Sequence, residues 1–347
     1  DHFPRIEIDA PLDLRGFDVR RFGDDHIHEL AGGVHVANLG QVVAGVPPLD
    51  AGSALRLVPK PVIEAVEAVS YPSAPRVVFE LASGNAFAGI GIGSPGAIDW
   101  ERTTVSQPPN LPGWQTVNMK AALQDAFGAV PVVVENDANV AGLGSAYYGA
   151  GQPHDSFVMI TLGTGVGGAI IYQNKIFRGS TGAAGEIGHM TINYAGPYER
   201  YGIGGAVEGY LGQRFLSYHA RMRLVSTDSK VHEMAGDDLE DLTPRTLYDA
   251  AKAGDEPARE VLAWAGHKLG CLAGSVVNLL DIRTVIIGGG VSAAGDFLLE
   301  PARKAFVEFT IPPLREQLTL KRETLGNEVS LLGAARLVLD PEDTQVH

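Results

Sequence analysis

From residue 86 onward, short apolar runs rich in Val and Ile alternate with longer stretches in which apolar residues recur every three to four positions. The short runs predict buried β-strands and the longer stretches predict amphipathic helices. The predicted strands are residues 88–93, 130–135, 157–162, 169–172 and 284–288. The predicted helices are residues 119–127, 137–148, 207–220, 244–253, 256–279, 297–309 and 331–339. The alternation indicates an α/β architecture, and we expect two lobes, each with its own sheet.

Pro, Gly and Asp interrupt the first 75 residues so often that few strand patterns survive there. Two further polar segments, 106–113 and 224–244, are predicted to be surface loops.

Composition narrows the class of protein. The 347 residues are 45% hydrophobic, enough for one large or two ordinary folded domains. No run approaches the roughly 18 apolar residues of a membrane span, and the amino terminus has no apolar signal core, so we expect an unsecreted, cytoplasmic protein. The net charge of -14 disfavours binding to nucleic acid or an anionic membrane. Cys271 is the single cysteine, which excludes intrachain disulfides and predicts a buried, inert thiol.

The strongest local signal is TLGTGVGG at residues 161–168, between two apolar strands. Glycines let backbone N–H groups approach a ligand closely, and Thr161 and Thr164 add hydroxyl donors, which suits phosphate oxygens. A tight hairpin without a ligand is the alternative.

A second signal, VVVENDAN at residues 132–139, is a buried strand that delivers Asn136 and Asp137 to the start of a helix. Polar groups at the carboxyl end of a strand face the ligand crevice in α/β sheets. Asp137 could accept the proton of a hydroxyl that attacks phosphorus, with Asn136 positioning that hydroxyl. Alternatively, either residue caps the helix.

Two further motifs have small residues around candidate ligand contacts. GAAGEIGH at residues 182–189 places Glu186 and His189 three apart, and TVIIGGG at residues 284–290 is a strand that runs into a flexible turn. The first could surround a ligand and the second could admit the face of an adenine, although either could be structural.

Taken in order, these segments resemble the ROK family of sugar kinases and repressors over roughly residues 86 to 340, including GIGSPGAID at 91–99, NLPGW at 110–114 and a closing GAARL at 333–337. The resemblance implies a two-lobed α/β fold of the actin/hexokinase (ribonuclease H-like) type with its active site between the lobes. The small lobe would be residues 1–134 with the helix 331–347, and the large lobe residues 135–330.

The resemblance also implies roles for single residues. Asp137 matches the catalytic base of the family. Positions that hold sugar hydroxyls match Gly96, Asn110, Asn136, Glu186, His189 and Glu208. The second phosphate motif matches Thr161, Gly163, Thr164, Gly165, Gly167 and Gly168, and the adenosine motif matches Gly288, Gly289 and Gly290.

The implied activity is that of a glucokinase-like enzyme: transfer of the ATP γ-phosphate to a hexose hydroxyl, the 6-OH being favoured, at the entry to glycolysis. Mg²⁺ would bridge the phosphates rather than occupy a protein cage. Mannose, fructose and N-acetylmannosamine remain alternatives to glucose, and a homodimer is expected.

The sequence departs from the family at the zinc motif. Many members hold a structural zinc with a His and three cysteines ten, twelve and seventeen residues further on. Counted from His189, those positions are Glu199, Tyr201 and Ala206, so no thiolate set exists and no structural zinc is expected. We expect packing of tyrosines to order this loop.

The sequence also lacks the family's first phosphate motif, Asp-x-Gly-Gly-Thr, within residues 1–85; ELAGGVH at 29–35 is a poor substitute. Two other hypotheses therefore stay open: a non-catalytic sugar sensor of the same fold, or an amino-terminal sequence altered by a reading-frame error. A repressor is disfavoured, since about 85 residues leave no room for a DNA-binding domain and the charge is negative.

Overall fold

The computed structural model describes residues 87–108, 115–339 and 341–346, together with four strands before residue 81. The strands are β1 (Arg5–Glu7), β2 (Val34–Gly40), β3 (Ile63–Ala68), β4 (Val78–Glu80), β5 (Phe87–Ser94), β6 (Ala97–Ile98), β7 (Thr104–Ser106), β8 (Thr116–Asn118), β9 (Val132–Asn136), β10 (Phe157–Leu162), β11 (Val166–Tyr172), β12 (Lys175–Phe177), β13 (Thr284–Gly288), β14 (Thr319–Arg322) and β15 (Gln345–Val346).

Nine α-helices lie within the described residues. They are α1 (Met119–Phe127), α2 (Asp137–Tyr148), α3 (Glu208–Leu211), α4 (Gln213–Leu224), α5 (Val231–Ala235), α6 (Pro244–Lys252), α7 (Glu256–Leu280), α8 (Asp296–Phe309) and α9 (Glu328–Leu339). In the described part of the chain, none of them has both the length and the apolar character needed to cross a bilayer.

The chain divides into two compact units. The first contains Asp1–Asp155, Ala169–Ala184 and Asn327–His347, and the second contains Ser156–Gly168 and Gly185–Gly326. The lobe boundaries expected from the sequence stay a prediction; they differ from these units at 135–155, 169–184 and 327–330, which cluster with the first unit.

The first unit is built on a sheet of order β3-β2-β5-β9. β2 runs antiparallel to β3 and β5, whereas β5 and β9 run parallel, with Ser94 opposite Asn136. Helices α2 and α9 pack against each other and against β5. Because parallel strands end at one edge, the segments that follow β5 and β9 start side by side.

In the second unit, β10, β13 and β14 are parallel, with β13 in the centre. All five residues of β13 are buried, as expected for a strand covered on both faces. Asp255 caps α7 by accepting a hydrogen bond from the Ala258 N–H at 2.7 Å, and α7 packs along α8. α8 connects β13 to β14, giving a β-α-β crossover.

Two predicted elements need correction. The helix expected at 207–220 is broken at Gly212, whose extended backbone (φ −56°, ψ 139°) separates α3 from α4. The segment expected to be a loop at 224–244 contains α5. The thiol of Cys271 is half-buried rather than buried, and burial raises its pKa, so it stays protonated and unreactive at neutral pH.

Candidate active site

The glycine turn at residues 163–165 joins β10 to β11 in the second unit. The Gly163 N–H donates to the Gly165 carbonyl at 3.0 Å, which closes the turn on itself. From outside, the Gln213 N–H donates to the Gly163 carbonyl at 2.9 Å, and the Val166 N–H donates to Glu208 Oε2 at 3.1 Å. The turn is therefore fixed by the segment that contains α3, while Thr164 at its tip is exposed.

The second glycine-rich segment, residues 288–290, lies beside this turn. β10 and β13 are paired with Thr161 opposite Gly288. A Cβ on Gly289 would lie only 2.6 Å from the Leu162 carbonyl carbon, so this backbone contacts the end of β10 directly. Gly289 and Gly290 are exposed. The structure thus brings together the two segments predicted to bind the nucleotide.

Val166 connects the glycine turn to the predicted sugar-binding residues. The Val166 N–H donates to Glu208, a residue that is 8% exposed. The Val166 carbonyl group contacts Gly188, because a Cβ on Gly188 would lie 3.0 Å from the Val166 carbonyl carbon. Gly188 belongs to the short 3₁₀ turn Ile187–His189 that follows Glu186. Glu208 and the 186–189 segment therefore both adjoin the glycine turn.

Glu186 and His189 lie together, as their spacing indicates. His189 Nε2 is 3.8 Å from Glu186 Oε2, and the Glu186 side chain is 59% exposed. A carboxylate and an imidazole nitrogen at this separation can share a hydroxyl group placed between them.

In the first unit, Asn136 and Asp137 occupy the junction of β9 and α2. Asn136 Oδ1 accepts from the N–H groups of Ala138 at 2.9 Å and Asn139 at 3.3 Å, so the helix-capping alternative is confirmed for Asn136. The cap uses only the amide oxygen, and the NH₂ group can still donate. Asp137 is the first residue of α2, where the positive end of the helix dipole favours a carboxylate.

Gly96 lies two residues beyond Ser94, the residue opposite Asn136. Gly96 has a φ of +100°, and a Cβ on it would lie 2.8 Å from the Pro108 Cα. Only glycine fits this position. Asn110 and residues 29–33 lie outside the described residues.

The ROK family model matches residues 75–341. The chain belongs to the ROK family. It is 34% identical to the glucokinase of Halalkalibacterium halodurans over 259 residues, covering 74% of this chain and 77% of the relative. It is 31% identical to the xylose repressor of Caldicellulosiruptor bescii over 251 residues, covering 72% of this chain and 62% of the repressor.

The structure is similar to a ROK family glucokinase from Streptomyces griseus solved with glucose and AMPPNP, with a TM-score of 0.67, 31% identity, and coverage of 79% of this chain and 95% of that one. The fold class predicted from the sequence, the α/β fold shared with hexokinase and actin, is thereby confirmed.

The three positions expected to hold zinc-binding cysteines carry Glu199, Tyr201 and Ala206 in this chain. Glu199 Oε2 is 3.6 Å from His189 Nδ1, and the Tyr201 ring meets the imidazole edge-on with centroids 5.1 Å apart. Ala206 is fully buried and offers only a methyl group. No cluster of three or more His, Cys, Asp or Glu side chains able to hold a metal ion is found within the described ranges. One carboxylate and one imidazole do not fit a tetrahedral Cys₃His zinc site.

A buried charge network behind Asn136 was missed by sequence reasoning. Glu135, fully buried, accepts from Arg102 Nε at 3.0 Å, lies 3.0 Å from Arg178 Nε, and accepts from the Asn136 N–H at 2.9 Å. Arg178 also donates to the Asp99 carbonyl at 2.8 Å. The network ties the GIGSPGAID segment to the start of α2. No local pattern marks Arg102 or Arg178, since only the tertiary fold buries them.

Asp99 closes the turn between β6 and β7. Its carboxylate accepts from the Thr103 N–H and hydroxyl, both at 2.7 Å, and from the Thr104 N–H at 2.9 Å. Burial acts to raise the pKa of Asp99, but these hydrogen bonds outweigh it and hold the pKa below its usual value. This residue is structural and stabilises the turn in its ionised form.

Proposed function

We propose that this chain is an ATP-dependent hexose kinase that phosphorylates glucose, with the 6-OH as acceptor. The observation that carries the proposal is the arrangement around Val166. There, one glycine turn with the exposed Thr164 at its tip contacts both Glu208 and the segment of Glu186 and His189. The similarity to glucokinases at 34% and 31% identity supports the same activity.

The nucleotide is proposed to bind at the two adjacent glycine segments. The Thr164 hydroxyl and the backbone N–H groups of residues 164 and 165 suit phosphate oxygens, and residues 288–290 suit the adenosine. The glycine backbone provides these donors without side chains that would block the approach. We propose Thr161, Gly163, Gly165, Gly167 and Gly168 as the remaining members of this phosphate site.

The sugar is proposed to be held by Glu186, His189 and Glu208, and Asn136 and Gly96 stay predicted sugar contacts on the family resemblance. Carboxylates and an imidazole accept and donate hydrogen bonds to hydroxyls, and a site built from such pairs rejects a sugar that lacks the matching hydroxyl. The half-exposed Glu186–His189 pair supports this role.

Asp137 is proposed as the general base. Its carboxylate would accept the proton of the attacking hydroxyl as the oxygen–phosphorus bond forms and the bond to the β-phosphate oxygen breaks. The Glu135 network supports this role, because it fixes the backbone on which Asp137 stands.

Mg²⁺ is proposed to arrive with the nucleotide. Bound with the nucleotide, this ion would supply positive charge beside the phosphates, and it would need few protein ligands. Cytoplasmic location and a homodimer stay predictions, the latter open to light scattering on the purified chain.

The test is a coupled ADP-release assay with Mg-ATP and a panel of glucose, mannose, fructose and N-acetylmannosamine. We expect glucose-dependent turnover, reduced at least about 100-fold in Asp137→Asn, in line with loss of a general base. Asp125→Asn, an exposed carboxylate on α1, is the matched control and should keep full turnover. Sugar binding by calorimetry without turnover in the wild type would refute the kinase.

That second outcome would favour a sugar-responsive regulator. The similarity to a xylose repressor is the observation behind this candidate. A regulator without catalysis would bind a sugar and show no ATP-dependent change in it.

A further inference from the structure

Glu199 is a buried carboxylate that none of the roles above uses. Its side chain is 0% exposed, and its Oε1 accepts from the N–H groups of Tyr201 at 2.9 Å and Ile203 at 3.0 Å. The Glu199 N–H also donates to the Ile203 carbonyl at 3.2 Å. Residues 199–203 therefore form a turn closed by the side chain of its first residue.

The second oxygen of this carboxylate faces His189. Glu199 Oε2 and His189 Nδ1 are 3.6 Å apart, and neither atom has a hydrogen-bond partner among the described residues. Leaving a buried polar atom unpaired is costly, so these two atoms are each other's natural partners. A small rotation of the ring would bring the two atoms within hydrogen-bond distance.

The pairing determines where the imidazole carries its proton. Glu199 Oε1 is already engaged by two backbone N–H groups, and the oxygens of an ionised carboxylate can only accept hydrogen bonds. Nδ1 must then hold the hydrogen, and in the neutral ring Nε2 is left as an acceptor. Nε2 is the nitrogen that lies beside Glu186 Oε2.

We propose that Glu199 is a positioning residue for His189. It holds the ring through Nδ1–H so that Nε2 accepts from a sugar hydroxyl, in an arrangement that needs no metal. The sugar contact rests on the proposed kinase function, whereas the orientation of the ring does not. Tyr201, edge-on to the imidazole at 5.1 Å, restricts the ring from its side.

The neighbouring chain supports a role for Glu199 beyond His189. Thr191 and Ala206 form an isolated antiparallel bridge, as do Tyr198 and Gly204, so the chain after His189 folds back toward Glu208. Glu199 Oε1 accepts from backbone N–H groups near the tip of this hairpin, and Oε2 lies 3.6 Å from His189 at its origin. Glu199 thereby links the tip of the connection to His189.

The Glu199→Gln variant distinguishes a role of Glu199 in orienting the His189 ring from a role in packing alone. The glutamine oxygen can still accept from Tyr201 and Ile203, but its NH₂ would now donate to His189 Nδ1. The proton of the ring would move to Nε2, which would become a donor toward the sugar. The variant keeps the size and anchoring of the side chain and reverses one hydrogen bond.

Nitrogen NMR of histidine-labelled full-length protein reads the tautomer directly, with the His189 signals assigned by their loss in His189→Gln. We expect the Nδ1–H form in the wild type and the Nε2–H form in Glu199→Gln. An Nε2–H wild type, or an unchanged tautomer in the variant, would overturn the proposal. One equivalent of zinc in the purified protein by elemental analysis would overturn it as well.

Kinetics supply the second measurement. We expect Glu199→Gln to raise the hexose KM about tenfold or more, because a hydroxyl loses its acceptor, with the ATP KM unchanged. Glu240→Gln, an exposed carboxylate paired with Arg221, is the control and should change neither. An equal rise in both KM values would contradict a specific role. Absence of turnover in the wild type would refute the kinase instead, and the NMR result would then decide the proposal alone.

Discussion

The contact between Gly165 and Glu208 gives a sharp test of how the glycine turn is built. A Cβ on Gly165 would overlap Glu208 Oε2 and lie 3.2 Å from the carboxylate carbon. Gly165→Ala must therefore displace the carboxylate from the Val166 N–H, to which it is bonded at 3.1 Å. The reason for glycine here is space, since the backbone of Gly165 is not left-handed.

The change in the free energy of unfolding caused by Gly165→Ala follows from two opposing effects. Loss of a hydrogen bond to a charged group costs about 1.5 to 3 kcal/mol, and the alanine restricts the unfolded chain by about 0.5 kcal/mol in the other direction. We expect Gly165→Ala to lower the free energy of unfolding by about 1 to 2.5 kcal/mol. Gly209→Ala is the control: it is in α3 beside Glu208, and its Cβ would meet nothing nearer than 3.6 Å.

A double-mutant cycle in urea unfolding isolates the clash. In a Glu208→Ala background the overlapping carboxylate is gone, so Gly165→Ala should cost little, and the two substitutions should couple by about 1 kcal/mol or more. Additivity of the two changes within about 0.5 kcal/mol would refute the contact. The measurement uses stability alone and does not depend on turnover.

Three further outcomes are expected. Arg178→Met should lower the free energy of unfolding by about 3 to 5 kcal/mol, because it leaves the buried Glu135 carboxylate with one arginine fewer. Arg245→Met, at an exposed ion pair, should leave the free energy of unfolding nearly unchanged, and equal effects of the two substitutions in urea titrations would contradict this. Asp99→Asn should destabilise the chain at neutral pH and progressively less as the pH falls below about 4, since a lowered folded-state pKa gives stability that acid removes; a pH-independent difference in thermal scans would count against it. Gly96→Ala should lower the thermal midpoint, as its left-handed φ of +100° and tight neighbours allow no Cβ, and an unchanged midpoint would show that the turn can relax.

The strands were predictable because their apolar runs are short and bounded. Residues 157–162 and 284–288 are β10 and β13 with the predicted ends. The break at Gly212 was not predictable from the local pattern, because the residue after it forms a bond to a distant segment: the Gln213 N–H donates to the Gly163 carbonyl at 2.9 Å. Local helix periodicity carries no information about such a neighbour.

The candidate site was predictable where a motif spans few residues, as for Glu186 with His189. Residues that act through partners far along the chain left no such signal. Arg178 reaches Glu135 across 43 positions of sequence, and Glu199 is recognisable only as a place where a thiolate is missing. The partners of such buried charged residues are brought together only by the tertiary fold, so the local sequence does not identify them.

The bond between Glu208 and Val166 has a thermodynamic consequence for binding. One carboxylate oxygen holds the backbone that leads out of the glycine turn, and the same side chain is proposed to meet the sugar. If a sugar that alters this hydrogen bond changes the affinity of the turn for phosphate by some factor, linkage requires the nucleotide to change the affinity for that sugar by the same factor.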